Sequence, residues 1–578
     1  MMAGDPTLPP SDPGSPLPMS PTATFDAAPD IDAAPAVDPG PEPDARGFAL
    51  PAAGLSEYER QRALDTVDEY LTRKRRHLVG YQATQEMQHC ALDLARFMPN
   101  NINNLGDPFQ SGGYKPNTKV VERAVLDYYA RLWNAKGPHD PADPESYWGY
   151  MLSMGSTEGN MYALWNARDY LSGKALILPP QAPYDALRYV KARPDRSNPN
   201  AHRPVAFYSE DTHYSFAKAV RVLNVETFHA VGTELYPDEC PLVDPATGRR
   251  EWPVEVPSAA GPSGRSWDGP GEIDIDALAV LVDFFAAHGH PIFVNLNLGS
   301  TFKGAHDDVR RVCERLLPIF ERYGLIEREV VYGTDPATGE PLTDLRRGFW
   351  IHVDGALGAG YAPFLRMAAQ DPAYGWTPEA ELPEYDFGLT LPTREHGEVD
   401  MVSSIAMSGH KWAGAPWPCG IYMTKVKYQI SPPTQPEYIG APDTTFAGSR
   451  NGFSPLVIWD HLSRHSYQDQ VDRIRGAQEL AGYLERRLRE IERAAGVELW
   501  PARTPGAVTV RFRKPSAELV AKWSLSSQDV LMVPGDESTR RSYVHVFLMP
   551  SVDRAKLDAL LAELAEDPAI LGTAAARG

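Results

Sequence analysis

The 578-residue sequence predicts an α/β protein built on a mostly parallel sheet, and three observations carry that prediction. Short apolar runs alternate with helical stretches between about residues 150 and 430. After about residue 466 one long charged helix is followed by alternating strands. Residues 1–54 have the apolar content of neither pattern.

The elements follow in order. Residues 1 to 51 hold thirteen of the 54 prolines, mixed with Asp, Ala, Gly and Ser. Such a chain buries too little surface to offset its ordering entropy, so residues 1–54 are expected to be a disordered tail. Order starts at Ser56, whose spacing to Glu59 is that of a capping box ahead of the helical stretch "SEYERQRALDTVDEYLTRKRRHLVG". A second helix is expected from Thr118, capped by Asn117, with Val121, Ala124, Val125, Tyr128 and Leu132 on its buried face. Together these make an N-terminal helical segment over 55–135. A large domain over 136–455 carries the strands "ALIL" (175–178), "VAFY" (205–208), "PIFVNLNLG" (291–299), "FWIHVDGA" (349–356), "MVSSIAM" (401–407) and "GIYMT" (420–424). A small α+β domain over 456–578 holds "YQDQVDRIRGAQELAGYLERRLREIERAAG" as a helix and "AVTVRF" (507–512) and "YVHVFL" (543–548) as strands. Three Pro- and Gly-rich stretches read as insertions. The string Asp-Pro-Ala-Thr-Gly occurs in two of them, at 244–248 and 335–339, and marks two hairpin tips.

Composition removes several functions. A formal net charge of -20, with eight acids and no Lys or Arg in residues 1–45, argues against nucleic-acid binding. Four cysteines without metal-ligand or redox spacing argue against a metal site and a disulfide framework, and fit the cytoplasm. No apolar run approaches membrane-spanning length, so no membrane partner is expected.

The chemistry centres on "SIAMSGHKWAG" (404–414). A lysine placed where a strand meets a tight Gly-rich loop loses solvation, its pKa falls, and its amine can then form a Schiff base with an aldehyde. If Lys411 does this, an aldehyde cofactor needs three partners. Asp354, ending the apolar strand of "GFWIHVDGALGAGY", offers a carboxylate to hold a pyridine nitrogen protonated; the alternative is a strand-end cap. Gly155, Ser156 and Thr157 open a helix and offer a phosphate cradle; the alternative is a capping box. Ser300, Thr301 and Ser408 offer further phosphate contacts. His213, after "VAFY" and before a helix, offers a planar group to cover a ring; the alternative is an ordinary loop histidine.

In this order the residues resemble the group II pyridoxal-phosphate decarboxylases, and within them the branch of histidine and serine decarboxylases. The strings that carry the resemblance are "NNLGDPF" (103–109), "GSTEGN" (155–160), "YSEDTHYSFAKA" (208–219), "NLGSTFKGAHDD" (297–308), "HVDGAL" (352–357), "SGHKWAGAPWPCG" (408–420) and "GSRNGF" (448–453). The resemblance implies fold type I of the pyridoxal 5'-phosphate (PLP) enzymes: a large, mostly parallel seven-stranded sheet domain, a small C-terminal domain, and a homodimer with shared active sites. It puts the Schiff base on Lys411, the pyridine nitrogen on Asp354 and ring stacking on His213. It also puts phosphate contacts on Ser156, Thr157, Ser408 and His410, and a methyl-side contact on Ala356. Tyr438, on a Pro-rich loop, is the candidate proton donor to the neighbouring subunit's site; the alternative is a tyrosine that packs within that loop.

The implied activity is decarboxylation of an L-amino acid to its amine and CO2. Related sequences of the histidine type usually carry His where this chain has Phe453, and Trp412 and Trp417 add bulk to the lysine loop. Both signs favour a neutral apolar side chain over imidazole; the expected substrate is valine or leucine, and the alternative is histidine or an aromatic amino acid. An aldehyde synthase, in which oxygen is consumed and hydrogen peroxide and ammonia are released, is a second expectation.

Overall fold

The computed structural model describes residues 42–572 except 178–187, 193, 195, 245–247, 336, 430–436 and 534–535. Most of the expected tail and the start of the Tyr438 loop therefore lie outside the described residues. Cα packing separates the chain up to Arg76 from the chain beginning at His77. The first unit is the helix Glu57–Arg76, opened by the expected capping box: Ser56 N donates to Glu59 Oε2 at 2.8 Å and Glu59 N to Ser56 Oγ at 3.3 Å. None of its side chains is buried, and Tyr58, Leu64 and Leu71 are exposed.

In the second unit the central sheet runs in the order Tyr147–Leu152, Gly420–Lys425, Ser404–Ser408, Phe349–Asp354, Ile292–Asn297, Val205–Phe207. The last four strands are parallel to one another, and Gly420–Lys425 is antiparallel to both its neighbours. Tyr147–Leu152 consequently points the same way as Ser404–Ser408, so five of the six strands end at one edge. Val, Ile, Phe and Trp fill these strands on both faces because helices cover the sheet on both sides. The edge where the five strands end is where an α/β sheet gathers its ligand site.

Several expectations are refined. Six strands, not seven, make the sheet among the described residues. Lys174–Ile177 pairs instead with Arg188–Lys191 in a separate two-stranded ribbon. The strand Tyr147–Leu152 is additional to those read from the sequence. The hairpin at 335–339 is present: Arg328–Thr334 pairs with Pro341–Arg346, and Gly339 N donates to Asp335 O at 2.8 Å. The copy at 244–248 has the same Gly-to-Asp closure at 2.8 Å, but no strands flank it among the described residues.

The helix Lys119–Leu132 buries Val125 and Leu132 as expected, but its inward face is rotated from the expected one, with Val121 and Tyr128 only half-buried. Glu122, Val125, Leu126 and Tyr129 are buried, while Ala124 is exposed. The reason is Glu122, which forms a fully buried ion pair with Arg450 and accepts from Asn104 Nδ2 at 2.8 Å and Met151 N at 2.9 Å. Three polar partners make this carboxylate an interior residue, and the helix rotates to deliver it.

At the C-terminal end the helix Tyr467–Ala495 opens with a Ser466–Asp469 capping box and closes on Gly496 in the left-handed region. It packs on a three-stranded antiparallel sheet in the order Thr509–Arg513, Arg540–Phe547, Ser526–Leu531.

Candidate active site

Five strands deliver the expected residues to the common edge, and the antiparallel strand Gly420–Lys425 closes the lysine loop behind them. Gly155 follows Tyr147–Leu152 with φ +72° and is the N-cap of the helix Ser156–Leu171. A Cβ there would lie 2.5 Å from His410 Cε1 and 3.2 Å from Ser408 Oγ, so only glycine fits. Ser156 N donates to Ser408 Oγ at 3.0 Å, and the two hydroxyl oxygens are 3.0 Å apart. Ser156 is the first helical residue and not a cap. Glu158 turns back to accept from Ser153 N at 2.7 Å and Met154 N at 3.0 Å, which shapes the loop ahead of the helix. The capping-box alternative therefore falls, and Gly155, Ser156, Ser408 and His410 stand together at a helix N-terminus. Thr157 is half-buried beside them.

Asp354 is 6% exposed at the end of its strand. Asn160 Nδ2 donates to its Oδ2 at 2.7 Å and Ala356 N to its Oδ1 at 3.1 Å. It caps the following turn and faces a side-chain donor at once, so the two readings of this residue do not compete. Asn160 is one helical turn from Ser156, which puts the carboxylate's partner and the helix start on one face. The sequence contained that signal in "GSTEGN", although the spacing alone did not assign Asn160 a role.

His213 is the N-cap of the helix Tyr214–Leu223, with its Nδ1 2.7 Å from Ser215 Oγ. Burial lowers its pKa; the charge of Asp354 opposes that shift and the charge of Lys411 adds to it. The three groups thus share one electrostatic environment. Lys411 Nζ donates to Gln82 Oε1 at 2.7 Å, and burial brings its pKa from 10.5 down to about 8, with Asp354 opposing. This is the shift expected of a lysine meant to react as an amine. Gln82 was missed in the sequence, because "VGYQAT" carries no periodicity or motif. Its segment is pinned to the lysine loop by Thr84, which donates through N to Lys411 O at 3.3 Å and through Oγ1 to Trp412 O at 3.1 Å.

The remaining residues divide. Ser300 is buried and turned into its own loop, where it accepts from Ala305 N at 3.1 Å; Thr301 and Ala356 are half-buried. Trp412 is a core residue, 3% exposed and packed on Tyr361 at 5.1 Å between ring centres, so it belongs to the scaffold of the loop. Trp417 is half-buried, edge-on to Phe453 at 5.6 Å, and donates to Ser454 Oγ at 2.8 Å. Tyr438 is 78% exposed.

PLP meets a matching donor set here: an amine of lowered pKa, a buried carboxylate, a half-buried imidazole, and paired serines at a helix N-terminus. One further atom fits it. Gln82 Nε2 is buried with no hydrogen-bond partner among the described residues, an unmet donor beside the reactive amine.

No family model matches the chain. It is 28% identical over 499 residues to the histidine decarboxylase of Vibrio campbellii, covering 86% of this chain and 92% of that one. It is 26% identical over 497 residues to serine decarboxylase 1 of Oryza sativa subsp. japonica, covering 86% and 73%. Among solved structures, L-methionine decarboxylase from Streptomyces sp. 590 in complex with L-methionine methyl ester is 83% identical, with 93% of this chain and 100% of that chain covered and a TM-score of 0.88. A second structure of that enzyme holds 3-methylthiopropylamine. Sheet, lysine loop and relatives together define a PLP enzyme of fold type I. The chain belongs to the group II amino-acid decarboxylases, and is therefore a PLP-dependent carboxy-lyase that forms an amine and CO2 from an amino acid.

Proposed function

We propose that the amino acid is L-methionine and the product 3-methylthiopropylamine. The observation that carries the chemistry is Lys411, a buried amine of lowered pKa held on Gln82 within the field of Asp354. The 83% identity to the Streptomyces methionine decarboxylase supports the substrate. The expected branched-chain substrate gives way to methionine on that identity. Phe453 and Trp417 argue for an apolar side chain over imidazole, but they do not separate a thioether from a branched alkyl group, and a thioether packs well against such rings.

In this reading Lys411 holds the cofactor's aldehyde carbon, Asp354 its pyridine nitrogen and His213 its ring face. Ser156, Thr157, Ser408 and His410 would hold the phosphate, Ser300 and Thr301 would add contacts to it, and Ala356 would meet the methyl side. PLP, when bound, supplies the electron sink into which the Cα–carboxylate bond breaks. Lys411 moves a proton at Nζ, which Gln82 Oε1 accepts as a hydrogen bond. The enzyme works as a homodimer in which the exposed Tyr438 of one subunit supplies the proton at Cα in the other. The uncovered Tyr58, Leu64 and Leu71 of the first helix support such an assembly. A cytoplasmic location accords with it.

The test is a panel of the proteinogenic L-amino acids scored for CO2 and amine. The expected result is a stoichiometric 3-methylthiopropylamine yield, with kcat/KM for methionine at least about tenfold above leucine, valine and histidine, a preference of about 1.4 kcal/mol. Preferential turnover of histidine would refute the apolar pocket. Hydrogen peroxide and ammonia in place of amine would identify an aldehyde synthase.

A further inference from the structure

Behind Asp354 lies a chain of side chains that touches neither Lys411 nor the phosphate cradle. Trp350, His352 and Asp354 alternate along one strand and so share a face, and Ser404 is the cross-strand neighbour of His352. Trp350 Nε1 donates to Ser404 Oγ at 2.9 Å, Ser404 Oγ lies 2.8 Å from His352 Nδ1, and His352 Nε2 lies 3.0 Å from Asn160 Oδ1. Asn160 Nδ2 then donates to Asp354 Oδ2 at 2.7 Å. Trp350, His352 and Ser404 have no exposed surface and Asn160 is 1% exposed.

The direction of this chain follows from its ends. An indole N–H only donates, so Ser404 Oγ accepts from Trp350 and has its own proton to offer to His352 Nδ1. His352 is neutral, because burial lowers its pKa to about 4, and with Ser404 Oγ donating to Nδ1 its single proton sits on Nε2 and is donated to Asn160 Oδ1. The Asn160 amide is thereby turned with its NH2 toward Asp354, whose Oδ2 accepts from it while Oδ1 accepts from Ala356 N, the pattern that suits a carboxylate with no proton of its own. Turning the amide over would set two oxygens face to face 2.7 Å apart unless Asp354 were protonated. It would also move the His352 proton to Nδ1 and turn the Ser404 hydroxyl away from His352 toward Tyr422. One direction of the chain goes with a carboxylate, the other with a carboxylic acid.

We propose that His352 is a positioning residue which, seated on Ser404 and Trp350, locks the Asn160 amide so that Asp354 stays ionised toward the cofactor. This rests on the reading of Asp354 as the partner of the pyridine nitrogen. His352 contacts no reacting atom; it acts through Asn160.

The test uses the purified holoenzyme without substrate and reads two quantities, the dissociation constant for PLP and the share of its absorbance in the long-wavelength, yellow band. His352→Leu is expected to weaken PLP binding about tenfold or more and to move absorbance out of the yellow band, because an unlocked amide no longer favours the charged carboxylate. His352→Gln, which can still donate to Asn160, is expected to restore both to within about threefold. Wild-type affinity and spectrum in His352→Leu would overturn the proposal, as would a His352→Gln variant as defective as His352→Leu. If His352→Leu does not fold, Ser404→Ala decides by the same two readings, since it removes the hydroxyl and little volume. Asp354→Asn is measured beside them. If it leaves affinity and band unchanged, the reading of Asp354 fails and the proposal with it; if it is defective while His352→Leu is not, the relay alone is refuted.

Discussion

Lys411 Nζ donates to Gln82 Oε1 across 329 positions of sequence. Burial lowers the pKa of this amine to about 8 against the charge of Asp354, which favours the ammonium, and Gln82 Oε1 is a further acceptor for it. Below that pH the amine is protonated and unreactive. The rate of PLP uptake by the apo-protein should therefore rise with pH through about 8 and level off well before 10.5, as read by stopped-flow absorbance. Gln82→Leu removes the acceptor, so its midpoint should move lower. A midpoint that stays in place would show that Gln82 does not tune the amine. Lys411→Ala should lose both the uptake phase and the activity.

Gly155→Ala should impair the cofactor site while leaving the fold intact. The new Cβ would meet His410 at 2.5 Å, in a conformation that side chains avoid. A cost of about 1–3 kcal/mol falls on the proposed phosphate cradle, so PLP affinity should drop about tenfold or more by fluorescence titration, with the far-ultraviolet circular dichroism unchanged.

Arg450→Met should destabilise the protein much more than a surface change would. It leaves Glu122 charged and buried, at a cost of about 3–5 kcal/mol, seen as a lower midpoint in urea at unchanged slope. The double change Arg450→Met with Glu122→Leu should recover a part of that loss.

Phe453→His should move selectivity toward histidine. The new imidazole would sit beside Trp417 at the start of the helix Phe453–Arg464, where a histidine side chain finds a polar partner that Phe denies it. The ratio of kcat/KM for histidine to that for methionine is expected to rise about tenfold, from one good hydrogen bond. An unchanged ratio would place substrate choice elsewhere.

Tyr438→Phe and Lys411→Ala should complement each other. Each variant alone is expected to be deficient, but after unfolding and refolding of a mixture the hybrid of the proposed homodimer has one site with an intact Lys411 and the other chain's Tyr438. Recovered activity in the mixture checks both the dimer and the direction of the exchange.

Much of the site was legible because it is punctuated. Glycine before a hydroxyl, an acid after an apolar strand, and a lysine in a Gly-rich loop are each local patterns, and the parallel sheet brings their ends together. What local pattern does not encode is a partner. Gln82, Asn160 and His352 were not assigned roles because each acts through a residue about 190 to 330 positions away. The inward face of Lys119–Leu132 was misjudged for the same reason. A glutamate reads as solvated until its arginine, 328 positions on, is known. Trp412 shows the converse: a bulky residue next to the lysine looked like a pocket wall, and it is a strut against Tyr361.

The single reversed strand has a consequence for which parts of the rim are free to vary. Ser408 and Gly420 are paired across the ladder, so the loop bearing Lys411 leaves and re-enters the sheet between neighbouring strands, clamped at both feet in one register. The residues that reach it from Ile292–Asn297 and Phe349–Asp354 arrive on connections that continue into helices, where chain can be added without shifting a ladder. Lys411 is thus the datum of the site, and diversity among such enzymes has room to accumulate in everything that approaches it.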